Sequence, residues 1–395
     1  MQLSTIERLW QVNEEAEIWW DSSPLVFATW RMKMIEKADD QHEMRRWIDH
    51  LYDVNKDPEN NLFRGVTTNP PLSYAAVQDD PDYWKGWIKK HAQDWGPQEV
   101  EETFWEVYKE IVKRGAVVYL PMFQKSGGKF GYISGQTDPR ILYDADSMVH
   151  QGLELAALAP NVMVKIPGTA EGYKAIRRLS ALGISTNNTL SMVVPQFVAC
   201  MDAVTEGLAE ARSNGVDTSA FRSVITAMSA RYGTLGTLEK EAEDRGISLS
   251  ETDIRWAEIA IFKKACRLVE SNTHYPGKML LCSMRMSPVI AGRARSWHIE
   301  KVAGENIVYT CPPSYIGDLL TNGTHMQFRD SREEEPPVAV LDKLLKIPYF
   351  AKAYAEDGYE LVQFNTHPAV AATGEHFAQA TENMVEFVAE ALQEC

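Results

Sequence analysis

This chain lacks any run of about 18 consecutive apolar residues, the length at which a hydrophobic segment reads as membrane-spanning. Its first residues, Met1 to Arg8, hold no apolar signal core, so neither secretion nor a membrane partner is expected. Positive charge is in deficit: 40 Lys+Arg against 55 Asp+Glu leave a net −15. That balance argues against nucleic acid or an anionic lipid surface as the main partner, though local arginines can still receive a small anion. The five cysteines (Cys200, Cys266, Cys282, Cys311 and Cys395) form no Cys-x-x-Cys pair. They have no metal-like spacing with histidine, and Cys282 and Cys311 fall in apolar runs where cysteine acts as a small hydrophobe. A reducing cytoplasm suits such a set. The nine histidines make no His-x-x-x-His pair and no facial triad, and no Rossmann or Walker loop is present, Gln124 to Lys129 being a glycine turn. Neither a metal nor an organic cofactor is implied.

What is present is an ordinary globular composition, 45% hydrophobic over 395 residues, long enough for one large barrel or two domains. Short apolar runs alternate with helical patterns. Candidate strands are Glu17–Trp20, Arg64–Thr68, Gly131–Gln136, Asn161–Ile166, Gly183–Asn187, Ser223–Met228, Met279–Met284 and Asn306–Cys311. Helices are clearest at Gly172–Ala181 and Pro195–Ser213, and Ser250 to Asp253 carries the capping residues of another. Such alternation is that of a parallel α/β fold, and eight strands is the count that closes a barrel. Periodicity alone does not separate a barrel from a doubly wound sheet. Two stretches, 22–63 and 321–367, look like additions to a minimal barrel. Within the second, Ser331 to Pro337 reads as a solvated acidic loop, and Ala371–Glu394 reads as a closing amphipathic helix.

The segment Asn161-Val-Met-Val-Lys-Ile-Pro-Gly-Thr169 carries a lysine into an apolar run. A charge there is costly unless it is paired or loses its proton. A desolvated lysine becomes a nucleophile able to form a Schiff base with a carbonyl compound. The alternative is a lysine whose head snorkels to the strand end. In a barrel, Lys165 shares inward parity with Met163, while Val164 and Ile166 face the helices, which places the amine in the mouth.

Upstream lies Arg64-Gly-Val-Thr-Thr-Asn-Pro-Pro-Leu72; downstream lies Gly183-Ile-Ser-Thr-Asn-Asn-Thr-Leu190. With the lysine segment, these resemble the transaldolase family, Schiff-base enzymes on a (β/α)8 barrel. The resemblance runs collinearly from about Ile18 to about Leu320, and the tail beyond is matched only loosely. It implies a single barrel over 1–395, a pentose-phosphate type of carbohydrate metabolism, sugar phosphates as substrates, and possible homo-oligomers. Lys165 takes the place of the Schiff-base lysine, and Asp21 that of the general acid/base at the substrate's C4 hydroxyl. Asp21 beside Ser22, Ser23 and Pro24 could equally cap a turn. Asn69, held extended by Pro70, corresponds to the asparagine that binds donor hydroxyls, or else makes a simple Asn-Pro turn. Asn187 and Thr189 correspond to residues contacting substrate and holding a catalytic water, or else cap a helix before Leu190. Thr226 matches a family serine near the Schiff base. Arg231, Ser283 and Arg285 match a phosphate site, although surface arginines more often pair with carboxylates.

One position departs from the family. In Ile133-Ser-Gly-Gln-Thr-Asp-Pro-Arg140, Gln136 stands where transaldolases have a glutamate. Glutamine can position a water but cannot take its proton. Within the superfamily it is the fructose-6-phosphate aldolase pattern, yet those enzymes carry a sixth-strand tyrosine where this chain has Met228. Three readings follow: transfer of a dihydroxyacetone unit from a ketose phosphate to an aldehyde, an aldolase releasing free dihydroxyacetone, or the transfer reaction in the biosynthesis of an unusual sugar. From another class comes a sugar-phosphate-binding barrel that has lost turnover, with the two additions as partner surfaces.

Overall fold

A computed structural model describes residues 2–95 and 99–394. Eight parallel strands close into a barrel: Glu17–Asp21, Phe63–Thr67, Tyr132–Gln136, Val162–Pro167, Thr186–Ser191, Ser223–Met228, Lys278–Cys282 and Val308–Cys311, with the last pairing back to the first. This is the expected (β/α)8 architecture. Sequence and structure agree on all eight strands to within a few residues. The largest displacement is in the fifth. Gly183, at φ 73°, still belongs to the turn that ends the preceding helix, and the strand runs from Thr186 through Ser191. Asn187, Asn188 and Thr189 are therefore buried strand residues and not a helix cap. Their polarity looks like a loop only when the barrel interior that receives it is left out.

The outer wall is apolar. Val164 faces Gly152 and Leu179 on the helices Ala145–Ala156 and Ala170–Ala181. A Ser250/Asp253 capping box opens the helix Glu251–Ser271, as the sequence indicates. The stretch 22–63 forms the helices Phe27–Lys37 and Gln41–Leu51 and packs outside the first strand. Trp20 meets Phe27 at 5.2 Å and Trp30 at 5.1 Å between ring centroids. The stretch 321–367 also wraps the outer wall, setting the helices Val338–Leu344 and Pro348–Tyr354 against Glu251–Ser271. Its acidic segment is a loop, but Ser331 is buried and its carbonyl accepts from the fully buried Lys263 at 2.8 Å.

The closing helix starts three residues before its sequence estimate, at Pro368, and runs to Gln393. It crosses the strands' carboxyl ends, touching the helix Pro70–Asp79 after the second strand and Ser229–Leu235 after the sixth. Cys395 lies outside the described residues; the other four cysteines are free and buried. Among the described residues no helix is long and apolar enough to cross a membrane.

The floor of the barrel is an ion cluster. Glu17 pairs with Arg222 at 2.5 Å and Lys278 at 3.1 Å, and accepts from the Trp19 indole at 3.0 Å. Burial pushes the Glu17 carboxyl up, but the two cations outweigh it and hold its pKa below the ordinary value. Above it lies the Trp19 ring, whose Cε2 would sit 2.5 Å from a Cβ built on Gly65. A glycine at this inward position is thus what lets the indole lie across the second strand. Gly65→Ala is expected to overpack this layer and lower stability by about 1–3 kcal/mol, read as a shift in the urea midpoint at unchanged slope.

Candidate active site

Strand register brings the expected residues into one layer. Gln136 is the partner of Lys165, Lys165 of Asn187, and Asp21 of Thr67. Lys165 is 4% exposed, and its Nζ donates to the Thr68 carbonyl at 2.8 Å. Among the described residues no carboxylate lies within ion-pair distance of this amine. The head group therefore does not snorkel out. Burial lowers the Lys165 pKa, and Asp21 is the chief influence opposing that shift. Burial raises the Asp21 pKa in turn, against the pull of Lys165, a hydrogen bond from Thr67 and the charge of Arg231.

Asp21 does not cap the following turn; Ser23 does, accepting from the Leu25 N–H. That leaves Oδ1 of Asp21 to accept from the Thr67 hydroxyl at 2.7 Å, with Thr310 hydrogen-bonded behind Thr67. On the opposite wall Thr226 donates to the Asn187 amide oxygen at 2.7 Å, and the Asn187 NH2 donates to Ser134 at 2.9 Å. The Asn187 side chain is thereby locked with its amide orientation defined.

Gln136 and Thr189 differ from these neighbours. Both Gln136 side-chain amide atoms and the Thr189 hydroxyl are buried without a hydrogen-bond partner among the described residues. Buried polar groups are seldom left so, and two on strands flanking the lysine strand suit a bound water or substrate oxygen. The peptide of Gln136 is fixed: Tyr108 accepts from its N–H and donates to its carbonyl, both at 2.8 Å. Asn69 is extended, at φ −157°, but its Oδ1 caps the helix Pro70–Asp79 by accepting from the Leu72 N–H at 3.0 Å. The extended backbone is the one expected before Pro70, and the side chain caps a helix where a simple Asn-Pro turn was the alternative.

At the rim, Arg231, Ser283 and Arg285 line one pocket of about 420 Å³. Neither arginine has an ion pair among the described residues, so the surface-carboxylate alternative fails for both. Arg285 donates to Thr234 at 3.2 Å, and Ser283 holds φ 58°, a strained value for a serine, which turns the chain at the strand end.

Four neighbours escaped the sequence reading. Thr67 and Thr310 looked like ordinary strand residues. Cys282 looked like a small hydrophobe, yet it lies close enough to feel Lys165 and Asp21. Burial and the Asp21 charge push its thiol up to about 12, which keeps it neutral. The fourth, His376, comes from the closing helix and lies beside Arg231.

The family model described as Transaldolase/Fructose-6-phosphate aldolase matches residues 47–361. The chain belongs to that family. Among similar curated proteins, a transaldolase of Thiobacillus denitrificans is 30% identical over 190 residues, covering 48% of this chain and 51% of the relative. One of Mycolicibacterium smegmatis is 33% identical over 189 residues, 47% of this chain and 50% of the relative. Transaldolase 2 of Streptomyces coelicolor is 32% identical over 191 residues, 45% and 50% respectively. The chain spans about half the length of the curated relatives it matches. Asp21 and His376 both lie outside the segment that the family model covers.

The electrostatics give a pH prediction. Only neutral amine attacks an electrophile, so the rising limb of Lys165 reactivity should lie below the ~10.4 of free lysine. In Asp21→Asn the negative charge that raises the Lys165 pKa is gone, and the limb should move to still lower pH. Acylation of Lys165 across a pH series, followed by peptide mapping, measures both; a limb that stays put or rises in the variant would contradict the coupling.

Proposed function

We propose that this chain is a transaldolase-type enzyme that transfers a dihydroxyacetone unit through a Schiff base on Lys165. The observation that carries the reading is a buried amine in a barrel mouth, without a carboxylate at ion-pair distance, flanked in register by Gln136 and Asn187. Burial favours the neutral, nucleophilic amine. Family membership and the relatives named transaldolase support the same reaction class.

In this reading Lys165 adds to the C2 carbonyl of a ketose phosphate such as fructose 6-phosphate, and loss of water gives the imine. Gln136 and Thr189, whose side chains have no hydrogen-bond partner among the described residues, position the water that leaves and later returns. Asp21 takes the C4 hydroxyl proton as the C3–C4 bond breaks. The bonding pair passes into the imine to give the dihydroxyacetone enamine, and glyceraldehyde 3-phosphate departs. A carboxyl whose pKa is raised by burial suits a group that must accept and return a proton. Asn69, Asn187 and Thr226 serve the enamine's hydroxyls. The enamine then adds to an acceptor aldehyde whose phosphate rests on Arg231, Ser283 and Arg285. A cytoplasmic setting belongs to the same reading and agrees with the buried free thiols.

A second reading rests on Gln136. A glutamine that cannot take a proton is the aldolase pattern, in which the adduct is hydrolysed to free dihydroxyacetone. Two measurements test these assignments. Borohydride reduction with fructose 6-phosphate should leave a dihydroxyacetone adduct on the peptide bearing Lys165; an unmodified Lys165 across a range of ketose phosphates would remove the Schiff-base assignment. In Gln136→Glu, transfer to erythrose 4-phosphate relative to dihydroxyacetone release should rise severalfold if Gln136 sets that balance. An unchanged ratio would remove the basis of the aldolase alternative.

A further inference from the structure

The rim pocket has one wall that the strands do not supply. His376, on the closing helix, lines it together with Arg231, Ser283 and Arg285. The Arg231 guanidinium donates to Nδ1 of His376, at 3.4 Å from Nη1 and 3.3 Å from Nη2. It also lies over the ring of Phe377, 5.2 Å from the centroid. Two adjacent residues of one helix thus hold this guanidinium from two sides. An imidazole that accepts at Nδ1 carries its proton on Nε2. Among the described residues Nε2 has no acceptor. Burial, then the charge of Arg231, lowers the His376 pKa, in keeping with a neutral ring that accepts from a cation.

We propose that His376 is the fourth arm of the anion site, beside Arg231, Ser283 and Arg285, donating from Nε2 to a phosphate monoester held between the two arginines, so that the site is complete only when the closing helix lies across the mouth. Two guanidinium groups, the Ser283 hydroxyl and an imidazole N–H outnumber what a carboxylate can accept. They suit the three terminal oxygens of a phosphate dianion. Arg285 is steadied separately by Thr234, at 3.2 Å. The identity of the anion as a substrate's phosphate rests on the function proposed above; the binding site itself does not.

Calorimetric titration of the full chain with inorganic phosphate tests this without any turnover. His376→Ala should weaken phosphate about tenfold, the scale of one hydrogen bond to a charged group. His376→Gln, which keeps a donor and an acceptor, should recover part of the loss. Wild-type affinity in His376→Ala, alongside a loss in Arg231→Ala, would overturn the role of His376 and leave the arginine site intact. Absence of phosphate binding by the wild type would overturn it too. A phosphate affinity that depends on His376 in a chain whose Lys165 resists trapping would uphold this inference while the transaldolase reading fell.

Discussion

An amine buried in the barrel mouth, held by one backbone carbonyl, sets the terms for everything around it. An ammonium ion there has lost its water and gained only the Thr68 oxygen in close contact, a poor exchange in free energy. The fold tolerates this because the amine can shed its proton and because Asp21 stands near enough to favour the charged form. Groups that would fix the proton on Lys165 more firmly are kept away or kept neutral. The Cys282 thiol is the nearest example, its ionisation suppressed by burial and by Asp21. Reactivity at Lys165 is therefore a property of the layer as a whole.

That layer stands in a graded interior. The floor is ionic, with Glu17 between Arg222 and Lys278. Trp19 and Tyr132 fill the next level almost without exposure. The working layer above is built of hydrogen-bond chains: a neutral one, Thr226 to Asn187 to Ser134, on one side, and one from Thr310 through Thr67 to the Asp21 carboxyl on the other. Such chains lock side chains in place without adding a further cation beside the amine. Positive charge returns at the rim, on Arg231 and Arg285. Ordered from floor to rim, cations are gathered where they face an anion or the open mouth and are scarce around the buried amine, whose pKa burial lowers.

Much of this was legible in the sequence. The placement of Lys165 followed from strand parity, and the register confirms its neighbours Gln136 and Asn187. Strand ends were less legible where interior polar residues imitate loops, as at Asn187 to Thr189, because a single sequence does not reveal that hydrogen-bond partners wait across the barrel. Asn69 shows a different difficulty: its side-chain oxygen caps the helix Pro70–Asp79, a role that an Asn-Pro pair does not announce in a sequence. His376 was beyond reach. Its helix follows a long wrapping segment, and only the tertiary path brings it to Arg231, 145 positions away along the chain. The two additions, at 22–63 and 321–367, gave no sequence sign of their place; both pad the outer wall.

The ion cluster at the floor also governs traffic. Glu17, Arg222, Lys278 and the two large rings above them stop the barrel at its amino end. Anything that reaches Lys165 enters, and leaves, by the carboxyl end, beneath the helix Pro368–Gln393. A donor, its first product, an acceptor and the final sugar would all pass through the same doorway. Two partners could not share it at once without crowding one another, so in the proposed reaction the outgoing fragment would have to clear the threshold before the next aldehyde stepped in, while the adduct proposed on Lys165 waited inside.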